Sequence, residues 1–457
     1  MKKALDFQND KILSLIFKTS IPLILASMVT MIVQLANISF MGNVGSEEIY
    51  IRSLYTPFAF LSIAFTEAFQ ISHQVLISRL KGSENYETIR KGILNFIFIS
   101  VISSLLLAVF IYALAPFIAD FYKVPTEITG DFISFLRAMF LVNALVILTM
   151  VLTSGLRGYG NVNLSMVFNI VYALLNVTLV YVLAFYLNKG IYSIVYANLI
   201  SSVFTSLVVS IVLFKKKILQ LNRKYFAFYK QAVLFLRNVG LPISISYLII
   251  FISNFFFNKI VAPFGVEAVS GFGVAYYIQT FVIVPGIAIG GSLGIIMNNN
   301  IGGGDRYHPR VFEAYKKGVA YTALFYFVLT AAIYIFSEAI INTMVKDQTA
   351  FSYANDFISI VSPSYIIMGI VLMTITTLEQ INKGVIALVL NTAYFAIITT
   401  LGWYLTRLFD DLNYFYWTFF AVNLFGVICV IYTWKVLEKE YASDAIIEKG
   451  EGRMYEN

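Results

Sequence analysis

The sequence predicts an all-α polytopic membrane protein with twelve transmembrane helices in two six-helix lobes. Three observations lead to this fold class. The 457 residues are 59% hydrophobic and 12% charged, whereas a soluble domain carries about 25% charged residues. Apolar stretches long enough to cross a bilayer recur along the chain, and its two halves resemble each other. This composition excludes a soluble enzyme and argues against a nucleic-acid-binding protein.

A helix needs about 20 mostly apolar residues to cross the hydrocarbon core of a membrane. Twelve such stretches are present, at 13–42, 53–78, 92–119, 131–155, 163–187, 190–214, 236–263, 268–298, 315–342, 355–378, 385–408 and 412–436. Each is predicted to be helical, because a segment of this length can satisfy its backbone polar groups inside lipid only as a helix.

The basic residues predict the orientation, since Lys and Arg are enriched in cytoplasmic loops. With the N-terminus in the cytoplasm, 25 of the 32 Lys and Arg residues fall on the cytoplasmic side or at its helix ends. Arg137 and Lys259 fall within spans, and five residues lie outside: Arg52, Lys123, Lys189, Lys346 and Arg407. We therefore expect a multi-pass plasma membrane protein (bacterial or archaeal inner membrane) with both termini in the cytoplasm.

The longest polar connection divides the spans six and six, and the two halves look alike. Pro22 and Pro242 occupy matching places in the first and seventh spans, and the similar segments that contain them end in Gly45 and Gly265. A parallel repeat of this kind is typical of transporters that bind substrate between the halves and rock them to alternate access. The predicted domains are a cytoplasmic N-terminus at 1–12, an N-lobe at 13–214, a linker at 215–235, a C-lobe at 236–436 and a cytoplasmic tail at 437–457.

A stripe of polar residues in the second span is the strongest candidate site. Glu67 is the carboxylate deepest inside a predicted span, and Gln70 and Gln74 follow on the same helical face, with His73 on an overlapping stripe. Ionisable groups at membrane depth are functional hypotheses by default. The stripe predicts a proton-coupling site, because a carboxyl group held away from water can take up a proton near neutral pH. The alternative is a static polar cluster that joins helices.

Four amides are candidates for a cavity or substrate site. Asn37 in the first span and Asn176 in the fifth either bond neighbouring helices or line a path. Asn254 and Asn258 lie beside Lys259 near the outer end of the seventh span, and Lys259 and Arg137 each either snorkel to the interface or face a cavity. The sequence contains no metal-ligand spacing, catalytic triad or nucleotide motif, and Cys429 is its single cysteine. We therefore expect neither enzymatic activity nor a cofactor or metal.

Several segments, taken in order, resemble the multidrug and toxic compound extrusion (MATE) transporters, whose superfamily also contains oligosaccharide-lipid flippases. The segments that carry the resemblance are IPLILASM and FMGNVG, TPFAFL, ISRLKGSENYETIRKG, SGLRGYGNVNLSMVFNIVYALLNV and SNFFFNKIVAPFGVEAVSGFGVA. Together the matches cover about 13–437. The resemblance implies two six-helix lobes around a V-shaped central cavity, and export of organic cations and drugs in exchange for sodium or protons.

The chain departs from the family pattern at the positions that carry acids. Where many members have an acid in span one, this chain has Asn37, and the second acidic position, four residues after Asn176, is Val180. A glutamate that other members carry in span seven would fall near Ile250. The LRGYG turn retains Arg157, whereas the corresponding residue of the second half is Glu379. The resemblance therefore leaves two hypotheses: coupling has moved to Glu67, with Gln70, His73 and Gln74 around it, or this protein is not a conventional sodium or proton antiporter.

The preferred prediction is an antiporter that exports small amphipathic or cationic compounds and couples to protons through Glu67. Its partners would be a small-molecule substrate, a coupling proton or sodium ion and the lipid bilayer, with no nucleic acid, and it would act as a monomer. One alternative is a flippase for a lipid-linked saccharide. The other is a non-transporting membrane scaffold that has lost its coupling site.

Overall fold

The computed structural model describes residues 5–442, and within this range every regular element is helical. Parts of the predicted terminal segments, residues 1–4 and 443–457, lie outside the described residues. Eleven stretches of the described part are helical, long and apolar enough to cross a membrane. The remaining predicted span, 53–78, is the helix Thr56–Gly82, whose polar stripe lowers its mean hydropathy.

The first half of the chain forms eight helices that follow the six predicted spans closely. They are α1 (Ile12–Val44), α2 (Ser46–Leu54), α3 (Thr56–Gly82), α4 (Tyr86–Phe121), α5 (Thr126–Gly158), α6 (Val162–Phe185), α7 (Tyr192–Lys215) and α8 (Lys230–Phe235). Two of these are not spans. Helix α2 lies between the first two predicted spans, and α8 lies in the predicted linker after a 3₁₀ turn at Arg223–Phe226.

The second half forms eight further helices. They are α9 (Leu241–Val261), α10 (Val266–Gly302), α11 (His308–Met344), α12 (Gln348–Val361), α13 (Tyr365–Gln380), α14 (Gly384–Phe409), α15 (Asn413–Phe425) and α16 (Val427–Tyr441). Two predicted spans are interrupted: 355–378 changes to a 3₁₀ turn at Ser362–Ser364, and 412–436 breaks at Gly426. The first break contains Pro363, which lacks the N–H that a continuous α-helix would need.

The matching prolines of the two halves have different effects. Helix α1 runs through Pro22 without interruption. Before Pro242 the chain forms a π-turn at Leu236–Gly240, in which the N–H of Leu241 donates to the carbonyl of Leu236. A π-turn provides a helix with a local widening and bend, so the first span of the second half begins with an irregularity that α1 lacks.

Backbone contacts divide the chain into two compact units. One unit contains residues 25–244 with residues 5 and 6, and the other contains 7–24 and the described residues from 245 onward. The division falls inside α1 and α9, whereas the sequence prediction placed the boundary in the linker at 215–235. Each unit also has its own hydrophobic cores, which is the usual mark of a domain.

In the first unit, α5 is the central helix and packs against α3, α4 and α7. Its core includes the buried rings of Phe132, Phe135 and Phe140. The linker folds back onto α4: the side chain of Asn95 donates to the carbonyl of Ala227 at 3.1 Å and accepts the N–H of Tyr229 at 2.9 Å. This link attaches the linker to the unit that precedes it.

In the second unit, α10 is the central helix and packs against α11, α12 and α13. An aromatic cluster forms its core, with Phe257 making edge contacts to Phe415 and Phe419 at centroid distances of 5.6 and 5.1 Å. Among the described residues, eight buried aromatic side chains belong to this core. Edge-to-face pairs of this kind contribute beyond their buried area.

Candidate functional site

Glu67 and Gln70 form the centre of the candidate site in the first unit. Both lie on α3 one turn apart, and Gln70 donates its amide to the Glu67 carboxylate at 3.1 Å. Both side chains are half-buried, so the carboxylate remains partly accessible. The three-residue spacing, which predicted a shared helical face, therefore brings the two side chains into direct contact.

Arg157 is a partner of Glu67 that the sequence analysis did not identify. It lies at the end of α5 with 8% of its surface exposed, and its charge acts on the Glu67 carboxylate without a direct ion pair. Its Nε and Nη2 atoms are buried and have no hydrogen-bond partner. From the sequence, Arg157 was placed with the basic residues at the cytoplasmic helix ends, because it lies near the end of a predicted span. Packing against α3 buries it.

His73 joins α3 to α5 rather than facing open space. The ring is fully buried, lies 5.0 Å from the Phe96 ring, and its Nδ1 atom lies 2.9 Å from the carbonyl oxygen of Val151 and 3.0 Å from Ser154 Oγ. A carbonyl can only accept, so this geometry favours the tautomer with the proton on Nδ1. Nε2 is buried without a partner, and a second proton there would add an unpaired charge.

Two glycines allow α5 to come this close to α3. A Cβ atom at Gly158 would lie 2.7 Å from the carbonyl oxygen of Gln74, and one at Gly155 would lie 3.0 Å from the His73 ring. Gln74, which is 3% exposed, therefore belongs to the helix interface. Small residues commonly permit such close helix packing in membranes.

Asn37 and Asn176 contact each other in the same unit. Asn37 in α1 donates to the side-chain oxygen of Asn176 in α6 at 3.0 Å, and Asn176 donates to Asn198 in α7 at 3.3 Å. Tyr172 donates to the same Asn198 oxygen. Val180, at the second acidic position implied by the family resemblance, is fully buried in a hydrophobic core. This region is therefore an uncharged network of amides beside an apolar core.

The remaining candidates lie elsewhere. Asn254 and Asn258 belong to the second unit, where Asn258 is exposed and donates to the Asn254 carbonyl of its own helix at 2.9 Å. Arg137 donates to the carbonyl of Tyr112 at 3.1 Å and lies over its ring, so it is anchored to α4. Lys259 lines a cavity in the second unit.

The second unit also buries an acid that the sequence placed near a span end. Glu379, at the end of α13, is 8% exposed and lies beside Ser246. In the repeat it corresponds to Arg157, and the turns that follow the two residues are alike, since Gly160 has φ 98° and Asn382 has φ 69°. The halves thus carry opposite buried charges at matching positions.

Within residues 5–442 no group of three or more His, Cys, Asp or Glu side chains is arranged to hold a metal ion. The titratable side chains of the candidate site are the Glu67 carboxylate, the buried His73 imidazole and the Arg157 guanidinium. This set can exchange protons or attract an organic ion.

A family model, MatE, matches the chain twice, at residues 22–182 and 242–405. The chain is 25% identical over 358 residues to a probable multidrug resistance protein, YoeA of Bacillus subtilis (strain 168), covering 76% of this chain and 77% of the relative. It is 22% identical over 407 residues to the multidrug export protein MepA of Staphylococcus haemolyticus (strain JCSC1435), covering 88% and 89%. The two separate matches agree with the duplication predicted from the sequence.

Solved structures show the same fold. A variant of the MATE transporter VcmN of Vibrio cholerae superposes with a TM-score of 0.87 at 18% identity, covering 94% of this chain and 97% of that one. A MOP superfamily transporter from Pyrococcus furiosus Vc1, described as having a binding pocket of reversed polarity, gives 0.87 at 18% identity, covering 96% and 99%. A MATE protein in its straight conformation gives 0.89 at 19% identity, covering 96% and 100%.

Proposed function

Because this chain belongs to the MATE family of multidrug efflux transporters, we propose that it exports small amphipathic or cationic compounds in exchange for protons. The relatives named as multidrug resistance and multidrug export proteins support this class of substrate. The single observation that carries the coupling proposal is the half-buried carboxylate of Glu67, held by Gln70 within reach of the Arg157 charge.

In this proposal the proton and the cationic compound compete for the Glu67 carboxylate. Ionised Glu67 can attract a cationic compound, and the attraction is strong where water is partly excluded. Protonated Glu67 loses that charge and leaves Arg157 without a counter-charge, so the region repels a cation. Proton and substrate would therefore bind in alternation, which is the thermodynamic requirement of antiport.

The other predicted site residues take supporting roles in this proposal. His73 and Gln74 fix α3 against α5 and so hold Glu67 and Arg157 in place. Asn37 and Asn176 fix α1 against α6, and Asn254 and Asn258 remain candidates for substrate contact in the second unit. On the strength of the distribution of Lys and Arg, we also propose that both termini lie in the cytoplasm. The proposed location is the plasma membrane, and the proposed functional unit is a monomer.

The test is transport by the purified protein in liposomes loaded with a fluorescent organic cation. Proton and sodium gradients are imposed separately on the wild type, on Glu67→Gln and on the control Glu127→Gln, which changes an exposed acid of α5. We expect proton-driven transport in the wild type and the control, and its loss in Glu67→Gln. Unaltered proton-driven transport by Glu67→Gln would refute the coupling proposal.

A second candidate is export of an anionic substrate, as in a lipid-linked saccharide flippase. Arg157 favours it, because two buried guanidinium nitrogens without partners could bind a phosphate or pyrophosphate. Liposomes that contain a fluorescent lipid pyrophosphate distinguish the two. Flipping of that lipid that is lost in Arg157→Gln, without cation transport, would support the flippase, whereas no transport of either compound would support the scaffold alternative.

A further inference from the structure

A cavity of about 1080 Å³ lies in the second unit between the C-terminal ends of α9 and α14. Phe256, Lys259 and Ile260 line one side, and Trp403, Arg407 and Asp410 line the other. Deeper in the unit the same two helices meet through Phe257 and Phe395, whose ring centroids are 6.3 Å apart. The cavity is therefore a groove between two helices that are held together by aromatic packing.

The charges of this cavity are unusual for its position. Lys259 and Arg407 are two of only seven basic residues that the sequence analysis places outside the cytoplasmic side, and both line one cavity. Both side chains are exposed, and neither forms an ion pair within the described part of the chain. Arg407 lies over the Trp403 ring at 5.5 Å. Asp410 is the single acid of the lining, so the lining residues carry a net positive charge.

The walls between these charges are apolar and aromatic. Phe256 is 42% exposed and Trp403 is 50% exposed, so both rings present a large surface to whatever occupies the groove. A site with an apolar wall and two exposed cations suits a molecule with a hydrocarbon chain and an anionic head. In a membrane-spanning unit, the abundant molecule of that kind is a phospholipid.

We propose that this groove binds an anionic phospholipid. The phosphate lies between the Lys259 ammonium and the Arg407 guanidinium, where charge-assisted hydrogen bonds hold it. An acyl chain packs along Phe256, Ile260 and Trp403. With the orientation predicted from the sequence, the lipid belongs to the outer leaflet. The proposal needs only that α9 and α14 span the bilayer, and it does not depend on coupling through Glu67.

The test compares phosphatidylglycerol with phosphatidylcholine of the same acyl chains. The full chain is purified in detergent and titrated with each lipid, while thermal unfolding is followed and native mass spectrometry counts bound lipids. A ligand present at about 100 times its Kd stabilises the folded state by mass action. The melting temperature of the protein therefore rises by several degrees. We expect this rise with phosphatidylglycerol and not with phosphatidylcholine.

Two variants with the same change of charge provide the comparison. Lys259→Gln with Arg407→Gln should abolish the rise, and the control Lys189→Gln with Lys346→Gln should retain it, because these lysines are also predicted to lie outside but do not line the groove. Thr400→Trp keeps both cations and fills the groove from an exposed position of α14. It should reduce lipid retention even if the first pair fails to fold.

Three results would overturn the proposal. The first is an undiminished rise in the Lys259 and Arg407 pair, which would place the lipid elsewhere. The second is an equal rise with phosphatidylcholine, which would show that charge is not recognised. The third is an equal rise with inorganic phosphate alone, which would make the ligand a free anion.

Discussion

The side-chain amide of Asn37 in α1 donates to the side-chain oxygen of Asn176 in α6 at a distance of 3.0 Å. The family resemblance implies an acid at the first of these positions and another one turn after the second. In this chain the first is an amide, and the second, Val180, is fully buried among hydrophobic residues. A coupling carboxylate in the first unit is therefore expected in α3, where Glu67 lies, rather than in α1 or α6.

The bond between Asn37 and Asn176 should be measurable as a coupling energy. We expect a double-mutant cycle with Asn37→Ala and Asn176→Ala to give about 0.6 kcal/mol, and at most about 1.7 kcal/mol, as for other hydrogen bonds between membrane helices. The measurement is the free energy of unfolding in mixed micelles. As a control, Asn43→Ala removes an amide that donates only to the Ser39 carbonyl of its own helix, so it should be additive with Asn176→Ala. Strict additivity of Asn37→Ala with Asn176→Ala would contradict the interaction.

Arg157 should influence transport through the charge of Glu67. The substitution Arg157→Gln removes a positive charge that stabilises the ionised carboxylate. We therefore expect the acidic limb of the pH profile of transport to shift to higher pH. Substrate uptake into liposomes, followed between pH 5 and pH 9 (roughly the range in which a buried carboxyl group can titrate), is the measurement.

Arg157→Lys is the matched control for this shift, because it keeps the positive charge and should hold the profile near that of the wild type. A profile unchanged in Arg157→Gln would show that the two groups are not coupled. A loss of transport at every pH would point to a structural role for Arg157.

Gly158 should be intolerant of a methyl group. In Gly158→Ala the new Cβ atom would lie 2.7 Å from the Gln74 carbonyl oxygen and 2.9 Å from the Ile77 Cβ atom. Overpacking of this kind destabilises proteins by about 1–3 kcal/mol, and thermal unfolding measures it. The control is Gly130→Ala in the same helix, where the new methyl group meets nothing within 4 Å beyond the adjacent residues and backbone of its own helix. Equal stability of the two variants would contradict the close packing of α5 on α3.

Glu379→Gln should stabilise the protein at neutral pH. The carboxyl group is buried at 8% exposure and forms no ion pair with a basic residue of the described part of the chain. A glutamine of the same shape removes the cost of burying a charge and keeps an oxygen beside Ser246, so the melting temperature should rise. Glu338→Gln, at an exposed position, should leave it unchanged. A lower melting temperature for Glu379→Gln would mean that the carboxylate is held by a favourable partner.

The contacts that the sequence could predict are those within one helix. Gln70 follows Glu67 by three residues, and this spacing alone places the two side chains on one face, where they bond in the structure. Contacts between helices were not predictable in the same way. The sequence placed Arg157 among the cytoplasmic basic residues and His73 in the proposed coupling stripe, because hydropathy places a residue along the membrane normal and does not show which helix it faces.

The sequence by itself determined that this is a membrane protein of twelve spans in two related halves, and that it resembles MATE transporters. It could do so because hydrophobic length, distribution of charge and repeated segments are local properties that can be counted along a chain. Only the tertiary structure decided which polar groups meet. Gly155 and Gly158 bring α5 against α3, and that approach buries Arg157 within reach of Glu67 and fixes His73 to the Val151 carbonyl. Such contacts depend on the rotation and packing of whole helices, which the sequence of one helix does not contain.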